Sequence, residues 1–170
     1  MARVFLSLGS NLGDSEAHLR YAIECLAREI GPVVRVSSLY RTAPHGVADQ
    51  PDYLNAVVQC ETSLEPEQVL ERTLAIEASR GRTRDRTGAP RTLDIDLLLF
   101  DDRHVQSDSL CIPHPRMEER SFVLTPLAEI EPDLVLPSGA TLGDLLSRPE
   151  IRTQPVERLT EPSASIHPTY

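Results

Sequence analysis

The chain contains no lysine: all 17 of its basic residues are arginine. That absence removes whole classes of chemistry. A Walker-type phosphate loop needs its lysine, as does a protein-kinase nucleotide site. Schiff-base and pyridoxal enzymes need an amine nucleophile, which arginine cannot supply. Cysteine is scarce as well. Cys25, Cys60 and Cys111 are odd in number and scattered, so neither a disulfide framework nor a zinc knuckle is indicated, and the expectation is reduced core thiols in a cytoplasmic protein. Long hydrophobic runs are missing. No apolar stretch approaches the ~20 residues of a membrane helix, and Arg3, Asp14 and Glu16 leave no room for a signal-peptide hydrophobic region. Positive charge is in deficit too. With 26 acidic residues the net charge is −9, which argues against general binding to nucleic acid or an anionic membrane.

What is present is unevenly placed. Arg80, Arg82, Arg84, Arg86 and Arg91 fall within twelve residues that hold one acid, Asp85. An acidic chain that gathers fixed positive charge in one segment is suited to holding an anion there. The 170 residues fit one domain with a core that needs no staples.

Periodicity outlines the elements. Residues 3–8 form an apolar strand that ends in the turn residues Gly9-Ser10-Asn11-Leu12-Gly13-Asp14. Asp14 or Ser15 caps a helix with Leu19, Ile23, Leu26 and Ile30 on one face, and Gly31-Pro32 stops it. One alternating strand is expected over 33–40, a loop over 41–52, and a second strand over 54–62. Pro66 between Glu65 and Glu67 opens another helix, which ends at Gly81. A central, buried strand follows over 92–100, then a weak pair around 104–106 and 110–112. Short helices are expected near 116–130 and 141–147. The Pro-, Ser- and Thr-rich stretch over 149–170 reads as an extended or disordered tail to a domain spanning 1–148. Interleaved helices and strands without serial βα units favour an α+β sandwich.

Four constellations carry chemistry. On a strand, Asp94 and Asp96 point to one face with Cα atoms about 6.5–7 Å apart, and such paired carboxylates beside leucines call for a cation. Magnesium takes oxygen ligands of this kind when it also meets substrate phosphates. The plain alternative is a strand with one wet face. Arg82, Arg84 and Arg91, hinged by Gly81, Gly88 and Pro90, present forked donors to phosphate oxygens. His114 is held between Pro113 and Pro115, and a helix there would put Arg116 and Arg120 on one face at i,i+4. Tyr53 and Asn55, at strand spacing near Arg41, Thr42 and Pro44, suit a flat heterocycle with a hydrogen-bonding edge; a core tyrosine beside a polar strand residue is the commoner arrangement.

Together these segments resemble the 6-hydroxymethyl-7,8-dihydropterin pyrophosphokinases of folate biosynthesis. The resemblance runs in order through Gly9-Ser10-Asn11-Leu12, Tyr40-Arg41-Thr42, Gln50-Pro51-Asp52-Tyr53-Leu54-Asn55, Gly81-Arg82, the segment from Ala89 to Asp96, and the segment from His114 to Phe122. It implies a compact, monomeric three-layer α/β/α domain with a mainly antiparallel, ferredoxin-like sheet. It implies transfer of pyrophosphate from ATP to the pterin hydroxymethyl group, giving AMP, with two Mg²⁺ ions. By motif, Asp94 and Asp96 would bind the metal, and Arg82 and Arg91 would act on the phosphates as catalytic groups. Arg84, His114 and Arg120 would contact ATP, with Ile95 and Leu110 near its adenine or ribose. Tyr53 and Phe122 would sandwich the pterin, and Thr42, Pro44, His45 and Asn55 would complete its pocket. Thr87, Gly88 and His45 depart from the family's pattern. The loops over 41–52 and 81–91 are expected to close over bound ATP. Another Mg²⁺-dependent transferase shares the aspartates and arginines but leaves Tyr53, Asn55 and Phe122 without a task. A non-catalytic RNA-binding module would need a basic face, which the charge balance opposes.

Overall fold

The computed structural model describes residues 1–43, 51–81 and 92–159. Its first strand, β1 (Ala2–Ser10), is followed by α1 (Ser15–Glu29). Asp14 caps this helix by accepting the Ala17 N–H at 3.2 Å. Leu19, Ala22, Ile23 and Leu26 form its buried stripe, the i, i+3, i+4, i+7 spacing of a helix with one apolar face. The turn after it needs a glycine. Gly31 has φ +149°, and a Cβ there would stand 2.0 Å from the Glu61 carbonyl oxygen.

The expected strand over 33–40 is two strands, β2 (Val33–Val36) and β3 (Tyr40–Thr42), both paired antiparallel with β4 (Tyr53–Thr62). The break falls where Ser37 takes over the ladder: its N–H donates to the Val57 carbonyl and its Oγ accepts the Val57 N–H, each at 2.9 Å. A side chain thus replaces a main-chain acceptor, and the strand kinks without losing a buried hydrogen bond. Helix α2 (Pro66–Ser79) starts at the expected proline, with Gln68 Oε1 accepting the Glu65 N–H.

Strand β5 (Asp94–Phe100) pairs with β1, and the sheet order is β5-β1-β4-β3-β8, with β2 also on β4. Every pairing is antiparallel. The order and the two intervening helices give the ferredoxin-like α+β arrangement that the resemblance implies. The expectation of a central strand over 92–100 does not hold, because β5 ends the sheet order. Its burial has another source: helices cover both faces, and the His114 N–H donates to the Leu98 carbonyl on its outer side. Strands β6 (Val105–Gln106) and β7 (Cys111–Ile112) form a separate small pair.

The core has two halves divided by the sheet. Val4, Leu6, Leu8, Val58, Ile95 and Leu97 pack under α1 and α2. Phe5, Val57, Leu98 and Leu99 pack under α3 (Ser121–Ile130), α4 (Leu142–Leu146) and α5 (Pro149–Arg152). Each fully buried aliphatic side chain contributes about 1.5–3 kcal/mol, so both faces are firmly held and the domain has three layers.

The boundary expected at 148 is displaced. Ile151 on α5 is 2 % exposed, within the second core half, and β8 (Glu157–Arg158) pairs with β3. Low apolar periodicity concealed one buried anchor and a two-residue strand that relies on main-chain bonds. Residues 149–159 therefore belong to the folded unit. The rest of the expected tail lies outside the described residues. Cys25 and Cys60 are buried core thiols as expected, and burial pushes Cys60 up to about 12; Cys111 is exposed, on the small β6–β7 pair.

Candidate active site

The sheet face under α3 changes character along its length. On β1 the inward series runs Phe5, Ser7, Gly9; on β4 it runs Val57, Asn55, Tyr53; on β5 it runs Leu98, Asp96, Asp94. The apolar ends lie beneath α3, and the polar ends emerge beyond it into a cleft of about 800 Å³. Antiparallel register lines these polar ends up, since Gly9 faces both Asn55 and Asp94, and Ser7 faces Asp96. Two-residue alternation delivers all of these side chains to one face.

The two aspartates project into the cleft together, half-buried, as the strand spacing predicts. Their strand is fixed from behind by a residue that sequence reasoning missed. Glu77, at the end of α2 and 2 % exposed, accepts the Ile95 N–H at 2.7 Å, tying the backbone between Asp94 and Asp96 to α2. Only its position in the last turn of a helix marks it in the sequence, and that gives no hint of its partner.

On the other flank, Asn55 donates from Nδ2 to Thr42 Oγ1 at 2.8 Å in a buried bond between β4 and β3. Gly9 allows this approach: a Cβ there would stand 3.1 Å from Asn55 Oδ1. Tyr53 completes the wall, and Phe122 faces the same space. The Arg120 guanidinium lies 5.5 Å from the centre of the Phe122 ring, within cation–π range.

The expected i,i+4 helical face over 116–120 is absent. Met117–Glu119 is a 3-10 turn, and Arg120 is extended, with φ −119° and ψ 111°. Pro115 and the tight turn set the chain in this course, yet Arg116 and Arg120 both reach the cleft. His114 Nδ1 accepts the Arg116 N–H at 3.1 Å, which leaves Nε2 to carry the proton of the neutral ring. Burial pushes this imidazole below the ordinary histidine value; Arg120 and Arg116 add to the effect, and Asp94 opposes it. The ring is therefore neutral near pH 7.

The cleft thus gathers Thr42, Tyr53, Asn55, Asp94, Asp96, Arg120 and Phe122 from the expected set. His114 is not among its lining residues, and neither are Ile95 and Leu110. The latter two are 5 % and 7 % exposed, with their side chains enclosed in the core half under α1 and α2, because Ile95 alternates with the aspartates. Arg82, Arg84, Arg91, Pro44 and His45 lie outside the described residues, as do most of the two loops expected to close. Ser7, Gly9, Ala43, Arg116, Glu119 and Gln154 also line the cleft. Arg116 stands beside His114 and Arg120 in the sequence pattern and Gly9 in the first motif, whereas Ser7, Ala43, Glu119 and Gln154 are types that carry no signal of their own in a sequence.

A ferredoxin-like α+β domain whose sheet turns from an apolar floor into an acidic, arginine-flanked cleft is a scaffold for a small-molecule enzyme. Comparison with known proteins is more specific. Residues 5–132 match the family 7,8-dihydro-6-hydroxymethylpterin-pyrophosphokinase (HPPK), and the chain belongs to that family. It is 47 % identical over 149 residues to the 2-amino-4-hydroxy-6-hydroxymethyldihydropteridine pyrophosphokinase of Methylorubrum extorquens, covering 87 % of this chain and 94 % of that one. It is 48 % identical over 127 residues to the protein of the same name from Bacillus subtilis, covering 74 % and 76 %. Among solved structures, a triple mutant of Plasmodium falciparum HPPK-DHPS with pteroate aligns with a TM-score of 0.71 at 15 % identity. That alignment covers 92 % of this chain and 46 % of the larger protein, and it speaks to the fold alone.

Proposed function

We propose that this chain transfers the pyrophosphoryl group of ATP to the hydroxymethyl oxygen of 6-hydroxymethyl-7,8-dihydropterin, as the names of its relatives indicate for them. The hydroxyl oxygen bonds to the β-phosphorus, the bond from that phosphorus to the α,β-bridging oxygen breaks, AMP leaves, and the hydroxyl proton passes to solvent. The observation that carries this reading is that one cleft joins a paired carboxylate edge to a wall of Tyr53, Asn55 and Phe122.

The residues divide by chemistry. Tyr53 and Phe122 offer ring faces to a flat bicycle. Asn55 spends one Nδ2 hydrogen on Thr42, which orients its amide and leaves an acceptor and a donor side by side for the pterin's amide-like edge. Arg116 and Arg120 flank the cleft as phosphate donors, and neutral His114 keeps an Nε2 donor free of added charge. Arg82, Arg84 and Arg91 would add the remaining phosphate contacts.

The donor set also suits magnesium. Asp94 and Asp96 supply hard oxygen ligands from one face, and no group of three or more His, Cys, Asp or Glu residues that could hold a metal occurs among the described residues. Two carboxylates leave the other positions for water and phosphate oxygens, as Mg²⁺ prefers. Asp94 and Asp96 would hold two such ions, which would neutralise phosphate charge when bound. The chain's own part is positioning: it holds two reactants in line in a site where electrostatics act strongly.

We read the protein as a cytoplasmic monomer that acts on ATP and the pterin, with no nucleic-acid or membrane partner. The net charge of −9 opposes general binding to nucleic acid or an anionic membrane; among the described residues no helix is long and apolar enough to cross a membrane. The decisive assay incubates the protein with ATP, Mg²⁺ and the hydroxymethyl-dihydropterin. AMP with a pterin diphosphate is expected; ADP, or free pyrophosphate with unchanged pterin, overturns the reading.

A further inference from the structure

Helix α3 begins with a defect. Its N-cap residue is Arg120, which makes no side-chain cap bond. Helix starts favour Ser, Thr, Asp or Asn, whose oxygens accept the first free N–H groups. An arginine, having donors alone, cannot do so. The missing acceptor comes from 33 residues away: Gln154 Oε1 accepts the Ser121 N–H at 2.9 Å.

Gln154 does more than cap. Its Nε2 donates to the Glu119 carbonyl at 2.8 Å and to the Glu150 carbonyl at 3.1 Å. Its own carbonyl accepts the Ser121 hydroxyl at 3.0 Å. Both amide hydrogens and the amide oxygen are therefore engaged with protein, although the residue also lines the cleft. The bonds clasp residues 119 and 121, on either side of Arg120. The clasp is itself anchored, because Ile151 is buried in the core and β8 beyond it pairs with β3. Arg158 on β8 also meets Glu129 of α3 at 3.5 Å.

We propose that Gln154 is a positioning residue for the pyrophosphoryl transfer. It caps α3 from outside, so that position 120 can carry an arginine aimed at the cleft instead of a capping side chain, and it sets Arg120 and Phe122 together. This rests on the function proposed above. It also assigns a role to a segment beyond the family match, which ends at residue 132.

The test uses the full chain with Gln154→Ala and Gln154→Glu, beside the unaltered protein, in the AMP-forming assay and in separate titrations with the pterin and with Mg²⁺-ATP. For Gln154→Ala, kcat/KM is expected to fall roughly 10- to 100-fold, in line with small misplacements in aligned sites. Most of that fall should lie in the KM of both substrates, with a single cooperative melting transition retained. Gln154→Glu keeps the acceptor for Ser121 but loses both donors, and should fall between. Ser121→Ala, which removes one bond of the same clasp, should shift the KM values the same way by a smaller factor; this keeps a readout should Gln154→Ala not fold. Unchanged KM and dissociation constants in a folded Gln154→Ala overturn the proposal, as does a loss confined to kcat. Should the unaltered protein form no AMP, the functional reading fails instead, and the two failures are distinguishable.

Discussion

Asp94 and Asp96 are two like charges on one strand edge, half-buried and facing the same cleft. Both carboxylates line the cleft rather than the core, and residues placed for a site's chemistry commonly add little to stability or cost some, so catalysis and stability should separate. Asp94→Asn and Asp96→Asn are each expected to lower kcat/KM by about 10²-fold or more while leaving the melting temperature equal or higher. Parallel AMP assays and thermal melts check this; a fall in both would mean that the carboxylates hold the fold. Gly9 makes a second case. In Gly9→Ala the new Cβ would crowd Asn55 Oδ1 at 3.1 Å and the Tyr53 ring at 3.8 Å. Because Asn55 is held by Thr42, it has little room to yield. The pterin KM should rise about tenfold, on the order of one lost hydrogen bond, while the KM for ATP stays near its original value. The aspartates were legible in the sequence because their two-residue spacing and leucine flanks define a strand face. Gly9 and Glu77 were not, since their importance is that a neighbour from another element comes close.

Among the elements, α5 and β8 were least legible and bear on the site. A chain ending at Arg148 loses the Ile151 anchor, the Gln154 clasp and the β8 strand. Truncating a buried isoleucine to alanine typically costs 2–5 kcal/mol. Ile151→Ala should therefore lower the melting temperature by roughly 5–15 °C, and the chain cut at 148 by at least as much. Differential scanning calorimetry decides: a truncated chain that melts with the full one would return residues 149–159 to the role of a dispensable tail. Strand β8 is held by side chains as much as by its ladder. Glu129 accepts from the Ser38 N–H and hydroxyl, at 3.1 and 2.9 Å, and from the Tyr40 hydroxyl, beside Arg158. Burial and that carboxylate push the Tyr40 phenol well above its ordinary range. Ser38 and Tyr40 lie 91 and 89 positions from Glu129 in the sequence, so no periodicity could have announced them.

For the whole molecule, two histidines set a pH response of definite sign. His18 is lowered by burial and then by Arg80, with Asp14 opposing; its Nδ1 accepts the Arg80 Nε–H at 3.0 Å, a bond that protonation would abolish. His114 is lowered by burial and then by Arg120. Both rings bind a proton less readily in the folded state than at the ordinary value of about 6.5. Their contribution to stability is thus present above that pH and is lost as pH falls through their folded values. The melting temperature should start to drop as pH falls below about 6.5, above the range where ordinary carboxylates titrate. His18→Gln combined with His114→Gln should flatten that slope; an unchanged slope would assign it to other groups.

The sequence by itself determined the class of chemistry and most of the scaffold. Lysine is absent, arginine is clustered, and two aspartates alternate on a strand; these are properties of residue type and short spacing, which the chain carries without folding. Helix stripes and strand alternation are equally local, and so α1, α2, β1, β4 and β5 could be read directly. Tertiary structure alone decided which strand lies at the sheet edge, that Ile95 turns into the core between the aspartates, and that residues 149–159 reach back to the cleft. Those outcomes depend on hydrogen bonds and close approaches between residues tens of positions apart, such as Gln154 with Ser121 and Glu77 with Ile95. Contacts of that kind have no period in the sequence. They exist once packing has brought their partners together.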